Sequence, residues 1–356
     1  MASYQKKKIP YPVDAALHEY LLGNSREMEL PISYETLKHF SEWYPLPDAE
    51  GRDTLWQTVL YSRGDMNDIS QGLRRVYALL KAAGDQSVME HLVVDRIDFA
   101  EFGNSQPFRV RIVNRINDNH DYFYVKTADA TRVYGLELEH LLSPNRMHFI
   151  LHGSTLIEEH VLGIPGDIFI NRNLQDPGFR EVRIAKEFVK FNERCFIRLL
   201  GDMRSYNYVI DVTPDFEEVH YRIRPMDFDQ QSYEGRPSFY LPQYFPDNNP
   251  LINFGIKHMD VRSMKQYQLE ERAAILLRMR AERARLGELL AAMRKQPLAP
   301  DEHIRQLRDG LADYYRDKRF LDARTMGGMV SRSLDLLREG RGGVRYTGVE
   351  TKRPKA

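Results

Sequence analysis

The stretch Leu200–Asp229 reads LGDMRSYNYVIDVTPDFEEVHYRIRPMDFD. In it Asp202 and, a few positions later, Asn207 precede an apolar, strand-like run. A charged turn follows, and a second strand-like run ends just before another acidic residue, Asp227. Because aspartate and asparagine also favour turns, the simplest structural interpretation is a polar β-hairpin. Only the sequence upstream can separate that interpretation from a functional one.

The same order of residues resembles the catalytic segment of the protein-kinase-like superfamily, and most closely that of the aminoglycoside and choline kinase-type phosphotransferases. In that family the first aspartate orients the attacking hydroxyl group, and the asparagine and second aspartate hold magnesium on the nucleotide phosphates. By position, these roles would belong to Asp202, Asn207 and Asp227. Phosphoryl transfer depends mainly on positioning and electrostatic stabilisation, and magnesium prefers oxygen ligands, which explains why these residue types recur.

Two neighbouring residues are further candidates by the same resemblance. Arg204 stands where many serine/threonine kinases have a lysine, so it would neutralise the γ-phosphate; the alternative is a surface ion pair. Asp229 would be an additional magnesium ligand, because small-molecule kinases sometimes have a second acidic residue there. The resemblance therefore predicts Asp202 and Arg204 as catalytic residues and Asn207, Asp227 and Asp229 as metal ligands, with ATP and magnesium as cofactors.

A three-stranded pattern precedes this segment. Alternating apolar residues predict strands over Val93–Phe102, Phe108–Val113 and Asp121–Lys126. Lys126 ends the third strand, where the family keeps the lysine that neutralises the α- and β-phosphates. The alternative is an ordinary strand-end lysine whose ammonium group reaches solvent.

The next stretch, Thr131–Leu142, is predicted to be a helix and carries Glu137 and Glu139. In the resemblance, a glutamate of this helix pairs with Lys126. Glu137 is the preferred partner because it lies among apolar residues on the inward-looking face. The alternative is that both glutamates are solvated.

Two further apolar runs, at 148–151 and 155–161, resemble the last strands of the family's small lobe and its hinge. Hinge backbone groups bind adenine in the family, and by position these belong to Glu159, His160 and Val161. The histidines of this region are interpreted as ordinary polar residues. Their four-residue spacing on strands does not bring side chains to one tetrahedral metal centre.

The chain departs from the family pattern in three respects. The histidine that commonly stands two residues before the catalytic aspartate is Leu200 here. The glycine-rich loop is reduced to Gly103 with Asn104 and Ser105, although backbone amides at Gly103 and Ser105 would still cap a phosphate. The two aspartates are also somewhat far apart, and an extended hairpin at 213–218 would absorb the excess. We therefore expect a divergent member, either active or catalytically weak.

Composition agrees with this interpretation without deciding it. At 356 residues the chain can hold one two-lobed domain of about 250 residues and an extension. Basic and acidic residues number 51 each, so no net charge points to nucleic acid or an anionic membrane. The only cysteine, Cys195, rules out an internal disulfide and lies in an expected core helix. No apolar run is long enough to span a membrane, so the simplest location is cytoplasmic.

The remaining regions are predicted mostly from helical periodicity. The predicted organisation, in chain order, is an N-terminal helical extension over 1–90, a small lobe over 91–162, a large lobe over 163–340 with helices at 260–294, 301–315 and 321–337, and a flexible tail over 341–356. The extension would pack on the small lobe or bind a partner.

The predicted fold is α+β: a bilobal protein-kinase-like fold with a small antiparallel-sheet lobe and a mainly helical large lobe. The predicted activity is transfer of the γ-phosphate of ATP to a hydroxyl acceptor, a small molecule. The alternatives are a protein kinase or nucleotidyl transferase of the same fold, and a pseudokinase that acts as a regulatory or scaffold module. No basic patch with regular aromatic residues predicts nucleic-acid binding.

Overall fold

The computed structural model describes residues 8–81, 86–101, 104–176, 178–215 and 219–345. The chain divides into two compact units, of which unit 1 is Met1–Leu162 with Ala284–Leu298 and unit 2 is Gly163–Arg283 with Ala299–Ala356. Unit 1 holds an antiparallel sheet of seven strands, and unit 2 is mainly helical, which confirms the α+β class.

The first part of the chain forms four α-helices and seven strands among its described residues. In order they are α1 (Ala15–Gly23), α2 (Tyr34–Lys38), β1 (Glu42–Pro47), β2 (Asp53–Leu60), α3 (Arg63–Lys81), β3 (Leu92–Phe99), β4 (Phe108–Asn114), β5 (His120–Thr127), α4 (Ala130–Leu142), β6 (Phe149–His152) and β7 (Thr155–Glu159). The three strands and the helix predicted upstream of the catalytic segment are confirmed as β3, β4, β5 and α4.

The seven strands of unit 1 lie in the order β1-β2-β3-β4-β5-β7-β6. Strand β4 illustrates why they form, since Phe108, Val110 and Ile112 alternate with more exposed residues and are fully buried. The two-residue period of a strand puts these side chains on one face of the sheet. On that face they share a hydrophobic core with Leu73 and Val76 of α3.

The N-terminal region is not wholly helical, so the prediction for residues 1–90 is wrong in part. After α2 the chain forms β1 and β2, which extend the sheet by two antiparallel strands. Strand β2 joins β3 with Gln57 opposite Phe99, and the neighbouring Thr58 hydroxyl donates a hydrogen bond of 2.8 Å to the Asp98 carboxylate. Pairing between segments 40 residues apart leaves no signature in helical periodicity.

Strand β1 is the outermost strand of this sheet. It contains Pro45 and Pro47, which lie within the region 1–90 that was predicted to be a helical extension. A proline costs no ladder hydrogen bond when its missing N–H would have faced away from the neighbouring strand, so edge strands tolerate it. The prolines therefore mark an edge strand, not a helix boundary.

The rest of the chain forms three strands and seven α-helices among its described residues, besides short 3₁₀ turns. In order they are β8 (Ile164–Pro165), α5 (Gly166–Arg172), α6 (Glu181–Arg198), β9 (Tyr208–Pro214), β10 (Val219–Pro225), α7 (Asn249–His258), α8 (Val261–Ala281), α9 (Arg283–Met293), α10 (Asp301–Tyr315) and α11 (Met326–Arg338). The strands form a second antiparallel sheet in the order β10-β9-β8.

Helix α6 is the central helix of unit 2. It buries Ile184, Phe188, Phe191 and Cys195, which recur every three or four residues and so form one apolar face. The prediction that Cys195 lies in a core helix is confirmed. Because α6 leads directly into the segment that begins at Leu200, this packing holds the start of the candidate catalytic loop.

The segment predicted to begin a flexible tail is ordered over residues 341–345. The Val344 side chain is buried, and its N–H group donates to the Glu193 carboxylate of α6 at 3.1 Å. Gly343 has φ of +93°, and a Cβ there would lie 2.4 Å from atoms of Glu193 and Arg272, so only glycine fits. The prediction is therefore wrong for these five residues, and 346–356 lie outside the described part of the chain.

Within the described ranges, we find no helix that has both the length and the apolar composition required to cross a lipid bilayer.

Candidate active site

The loop between α6 and β9 in unit 2 carries the predicted catalytic aspartate. At the end of α6, Leu199 adopts the left-handed conformation with φ of 55°, and its N–H group donates to the Cys195 and Phe196 carbonyls. Asp202 is also left-handed, with φ of 57°. Aspartate tolerates this conformation better than most side chains do. Two left-handed residues within this short stretch end the helix abruptly and begin the loop.

The β9–β10 hairpin brings Asn207 next to Asp227. At the open end of the hairpin Tyr208 lies opposite Pro225. Just beyond this pair, the Asn207 carbonyl accepts hydrogen bonds from the N–H groups of Met226 at 3.0 Å and Asp227 at 3.4 Å. Antiparallel pairing therefore makes neighbours of two residues that are well separated in sequence.

The Asn207 side chain connects this pair to Asp202. Its Nδ2 group donates to the Asp202 carbonyl at 2.7 Å and lies 3.4 Å from the Asp202 Oδ2 atom. With Nδ2 used in this way, Oδ1 is the atom of the amide that can accept a hydrogen bond or coordinate a cation. Asp202, Asn207 and Asp227, which are central to the sequence prediction, thus lie together in unit 2.

The environment of Asp202 changes its acidity. The side chain is 13% exposed. Burial raises the pKa of its carboxyl group from the ordinary 3.8 to about 6; the Arg204 guanidinium opposes this change, and the carboxylates of Asp227 and Glu234 add to it. A carboxyl group whose pKa is raised by burial and by nearby carboxylates is typical of sites that move protons or bind cations. At pH 7 and above the group is mainly ionised and can accept a hydrogen bond.

Arg204 forms an ion pair with this carboxylate. Its Nε atom donates to Asp202 Oδ1 at 3.1 Å, and a terminal nitrogen lies 3.7 Å from Asp247 Oδ2. The guanidinium also lies over the Phe245 ring, 5.0 Å from the centroid. Of the two interpretations of Arg204, the ion pair is thus present, and contact with a γ-phosphate stays a prediction.

The oxygen atoms around Asp227 can be compared with the ligands that magnesium prefers. The Asp229 N–H group donates to Asp227 Oδ1 at 2.9 Å, and Asp229 is buried. Among the described residues, no three or more His, Cys, Asp or Glu side chains converge on a possible metal position, so no carboxylate-only centre exists there. An Asp227 carboxylate with the Asn207 Oδ1 atom nevertheless provides hard oxygen ligands, which magnesium combines with phosphate and water oxygens. Ligation by Asp229 stays a prediction.

Gly166, the first residue of α5, lies directly against the loop. A Cβ at this position would lie 2.3 Å from Tyr208 Cε2 and 2.5 Å from the Ser205 carbonyl oxygen. We predict that Gly166→Ala lowers the free energy of unfolding by about 2–3 kcal/mol, because ring and backbone must both shift. Urea unfolding would measure it.

The matched control is Gly255→Ala, in helix α7 of the same unit. A Cβ at Gly255 would meet only Met259 Cε, at an ordinary 3.5 Å. Since alanine is a better helix former than glycine, this variant should be as stable as the wild type or up to about 1 kcal/mol more stable. Equal stability of Gly166→Ala and the wild type would contradict the tight contact beneath the loop.

Gln231 supports the same loop and was missed by the sequence analysis. Its Nε2 group donates to the Arg198 carbonyl at 2.6 Å and the Leu199 carbonyl at 3.2 Å, where α6 ends. Its backbone also forms an isolated bridge with Leu200. These partners are more than 30 residues away in sequence. The one local signal for a role of Gln231 in the site is its position just after Asp227 and Asp229.

In unit 1, Lys126 is buried and forms an ion pair. Its Nζ atom lies 2.8 Å from Glu158 Oε2, and Arg132 donates to the same carboxylate at 3.1 Å. Lys126 pairs with Leu156 across the β5–β7 ladder, so Glu158 lies diagonally opposite on the same face of the sheet. The alternative of a solvated strand-end lysine is therefore wrong.

The predicted pairing of Glu137 with Lys126 is also wrong. Among the described residues, the Glu137 carboxylate receives hydrogen bonds from the Tyr20 hydroxyl, from Arg26 at 2.7 Å and from Arg285 at 2.7 Å. Glu137 is fully buried, so two guanidinium groups satisfy a charge that has no access to water. The side of α4 on which Glu137 lies is therefore occupied by other parts of unit 1, and a nucleotide-binding role for Glu137 has no support.

The predicted hinge residues lie at the end of β7. The Glu159 N–H group donates to the His148 carbonyl at 3.1 Å, and its carboxylate lies 3.2 Å from Lys81. His160 Nδ1 lies 3.1 Å from the Tyr124 hydroxyl, and burial lowers the pKa of His160. Val161 is buried. Adenine binding by this backbone stays a prediction.

The reduced glycine loop is described only in part. Gly103 lies outside the described residues, and Ser105 is half-buried in the turn before β4. The neighbouring Asn104 side chain accepts a hydrogen bond from the Lys8 N–H group at 3.4 Å. Phosphate binding at this turn stays a prediction.

The predicted site residues of unit 2 thus form one group, which consists of Asp202, Arg204, Asn207, Asp227 and Asp229. Among the described residues, the predicted site residues of unit 1 do not form a group within that unit. Comparison with protein-family models gave no match, and a search of curated proteins gave none either.

Proposed function

We propose that this protein is an ATP- and magnesium-dependent phosphotransferase that moves the γ-phosphate to a hydroxyl group, with a small molecule as acceptor. The observation that carries the proposal is the convergence of Asp202, Asn207 and Asp227 through the Asn207 amide and carbonyl. These residues precede and follow the β9–β10 hairpin and meet at its open end, where they would supply the two oxygen ligands and the acceptor carboxylate that phosphoryl transfer needs.

In this proposal Asp202 binds the acceptor hydroxyl. Its carboxylate is mainly ionised at neutral pH, because its raised pKa of about 6 still lies below 7. It can therefore accept the hydroxyl hydrogen bond and hold the oxygen in line for attack. Arg204, 3.1 Å away, limits the rotation of the carboxylate and favours its ionised form.

Asn207 and Asp227 would hold magnesium through oxygen atoms. Magnesium, when bound, would neutralise charge on the phosphate oxygens. The hydrogen bond from Asn207 Nδ2 to the Asp202 carbonyl fixes the amide group and leaves its oxygen available for this role. Lys126 keeps the role that the resemblance implies, neutralisation of the α- and β-phosphates, as a prediction.

The test is ligand-dependent thermal unfolding of the wild type and Asp227→Asn. Saturating ATP with magnesium should raise the Tm of the wild type by about 2–5 °C, and ATP with EDTA should raise it less. Asp227→Asn should lose the magnesium-dependent part of the rise in Tm, because an amide is a weaker metal ligand than a carboxylate. The control is Asp309→Asn on α10, whose side chain is 57% exposed, and it should respond as the wild type does.

The chemistry is tested with ATP labelled at the γ- or α-phosphate. Transfer of the label from the γ-phosphate alone supports phosphotransfer. Transfer of the label from the α-phosphate would instead show nucleotidyl transfer. Magnesium-dependent binding without turnover would show a regulatory module. Absence of any shift of Tm with ATP in the wild type would contradict the proposal at its first step.

A further inference from the structure

Asn248 lies beneath the candidate catalytic loop and does not belong to any motif noted in the sequence. It ends the short 3₁₀ turn Pro246–Asn248, immediately before α7, and its side chain is fully buried. Its own N–H group donates to the Phe245 carbonyl at 3.0 Å, which holds its backbone in place. A buried amide of this kind must satisfy its hydrogen-bonding groups within the protein.

The Asn248 side chain is satisfied by three hydrogen bonds. Its Nδ2 group donates to the Met203 carbonyl at 3.0 Å and to the Pro242 carbonyl at 2.8 Å. Its Oδ1 atom accepts a hydrogen bond of 2.8 Å from the Tyr208 hydroxyl. Both amide hydrogens and the carbonyl oxygen are thus used.

Two of the three partners of Asn248 lie in or next to the candidate catalytic loop between α6 and β9, and the third, Pro242, lies outside it. Met203 directly follows Asp202, and Tyr208 directly follows Asn207. The Tyr208 ring is itself held, since it is fully buried and packs edge-on against Phe191 with centroids 5.3 Å apart. One amide side chain therefore bridges the residue after the acceptor carboxylate to the residue after a metal ligand.

The direction of the hydrogen bond between Tyr208 and Asn248 follows from the chemistry of the two atoms. Asn248 Oδ1 is an amide oxygen, which can only accept, and the Tyr208 hydroxyl lies 2.8 Å from it, so the hydroxyl is the donor.

We infer that Asn248 is a positioning residue for phosphotransfer, which sets the separation of Asp202 and Asn207 by holding the backbone on both sides of the loop. This inference rests on the proposed function. Asn248 acts through Met203 and Tyr208 and does not touch the reacting groups. Because a misplacement of about 1 Å at a reacting centre can lower a rate about 10²-fold, loss of the bridge should reduce kcat.

The test compares three variants with the wild type. Asn248→Leu removes the bridge with little change in volume. Adding Tyr208→Phe to it removes the hydroxyl that Asn248→Leu leaves buried without an acceptor. The control is Asn192→Leu. Asn192 is also buried in unit 2, but it bonds the Phe188 carbonyl and the Gln243 N–H group, neither of which belongs to the loop between α6 and β9.

Three measurements separate positioning from stability. They are kcat and KM for magnesium-ATP hydrolysis, Tm without ligand, and amide hydrogen exchange of peptides covering residues 200–208. Asn248→Leu should lower kcat by about 10- to 100-fold with KM for ATP within about twofold, and speed exchange in the loop. The double variant should recover part of the lost Tm, since no buried hydroxyl is left without a partner, but not kcat.

The outcomes distinguish this inference from the proposed function. If the wild type hydrolyses magnesium-ATP and Asn248→Leu has the kcat and loop exchange of the wild type, the inference is overturned and the function stands. A fall of kcat in Asn192→Leu as large as that in Asn248→Leu would also overturn it, because the effect would then follow stability alone. A wild type without magnesium-dependent turnover overturns the proposed function, and the inference with it.

Discussion

Asp202→Asn is expected to reduce magnesium-dependent ATP turnover by about 10²–10⁴-fold, the range typical for loss of a positioned proton acceptor. The asparagine amide keeps the shape of the side chain but offers its single oxygen as a much weaker acceptor. The Asn207 side chain donates to the backbone carbonyl of Asp202, so this hydrogen bond should survive a change of the Asp202 side chain. Turnover is measured as ADP formed at saturating magnesium-ATP.

The same variant is expected to be more stable than the wild type at pH 8 in buffer without divalent cations. The folded-state pKa of Asp202, about 6, lies above its ordinary value of 3.8, so the folded protein holds this proton more tightly than the unfolded chain. Protonation of Asp202 therefore stabilises the folded state fully below pH 3.8, and this stabilisation is lost as the pH rises through 6. The ionised form costs about 3 kcal/mol of stability at pH 8, and asparagine removes that cost.

Urea unfolding at pH 5 and pH 8 checks this second expectation. The stability advantage of Asp202→Asn over the wild type should widen by about 1 kcal/mol from pH 5 to pH 8. Asp309→Asn, which changes an exposed carboxylate, should show no such widening. If Asp202→Asn is less stable than the wild type at pH 8, or if it retains a third of the wild-type turnover, Asp202 is not a buried catalytic carboxylate.

Glu137→Gln is expected to lower the free energy of unfolding of unit 1 by about 3 kcal/mol. Glu137 is fully buried between Arg26 and Arg285, whose side chains are 11% and 22% exposed. Neutralising the carboxylate leaves two largely buried guanidinium groups without their counter-charge, which is the costly way to break an ion pair. The partial exposure of Arg285 sets the estimate at the lower end of the usual range.

The pH dependence of this network has the opposite sign to that of Asp202. Burial alone would raise the pKa of Glu137, but Arg26 and Arg285 outweigh it and hold the pKa below the ordinary 4.5. The carboxylate therefore contributes its stability above pH 4.5, and the contribution is lost as the pH falls through the lowered pKa.

Urea unfolding at pH 7 and at pH 4 would measure this effect, followed by a probe in unit 1 such as Trp56. The difference between Glu137→Gln and the wild type should shrink toward pH 4 as the wild-type carboxylate approaches protonation. Glu288→Gln, on the exposed side of α9, is the control and should be neutral. If Glu137→Gln is as stable as the wild type at pH 7, the negative charge of Glu137 does not stabilise the folded state through Arg26 and Arg285.

The sequence determined those features that depend on neighbours within a few residues. Alternation of Phe108, Val110 and Ile112 predicted β4, because a strand repeats every two residues. The apolar residues near Cys195 recur every three or four positions, so they form one buried face of α6, because a helix repeats every 3.6 residues. The resemblance to the catalytic segment of the protein-kinase-like superfamily predicted that Asp202 and Asn207 act together, and their short spacing keeps both in one loop.

The tertiary structure alone decided which distant residues meet. Glu137 is held by Arg26 and Arg285, which lie 111 and 148 positions away. Asn248 reaches Met203 across 45 positions. Such contacts arise from the packing of whole elements, in which each buried polar atom takes whichever partner the fold brings within reach, so no local pattern along the chain could encode them.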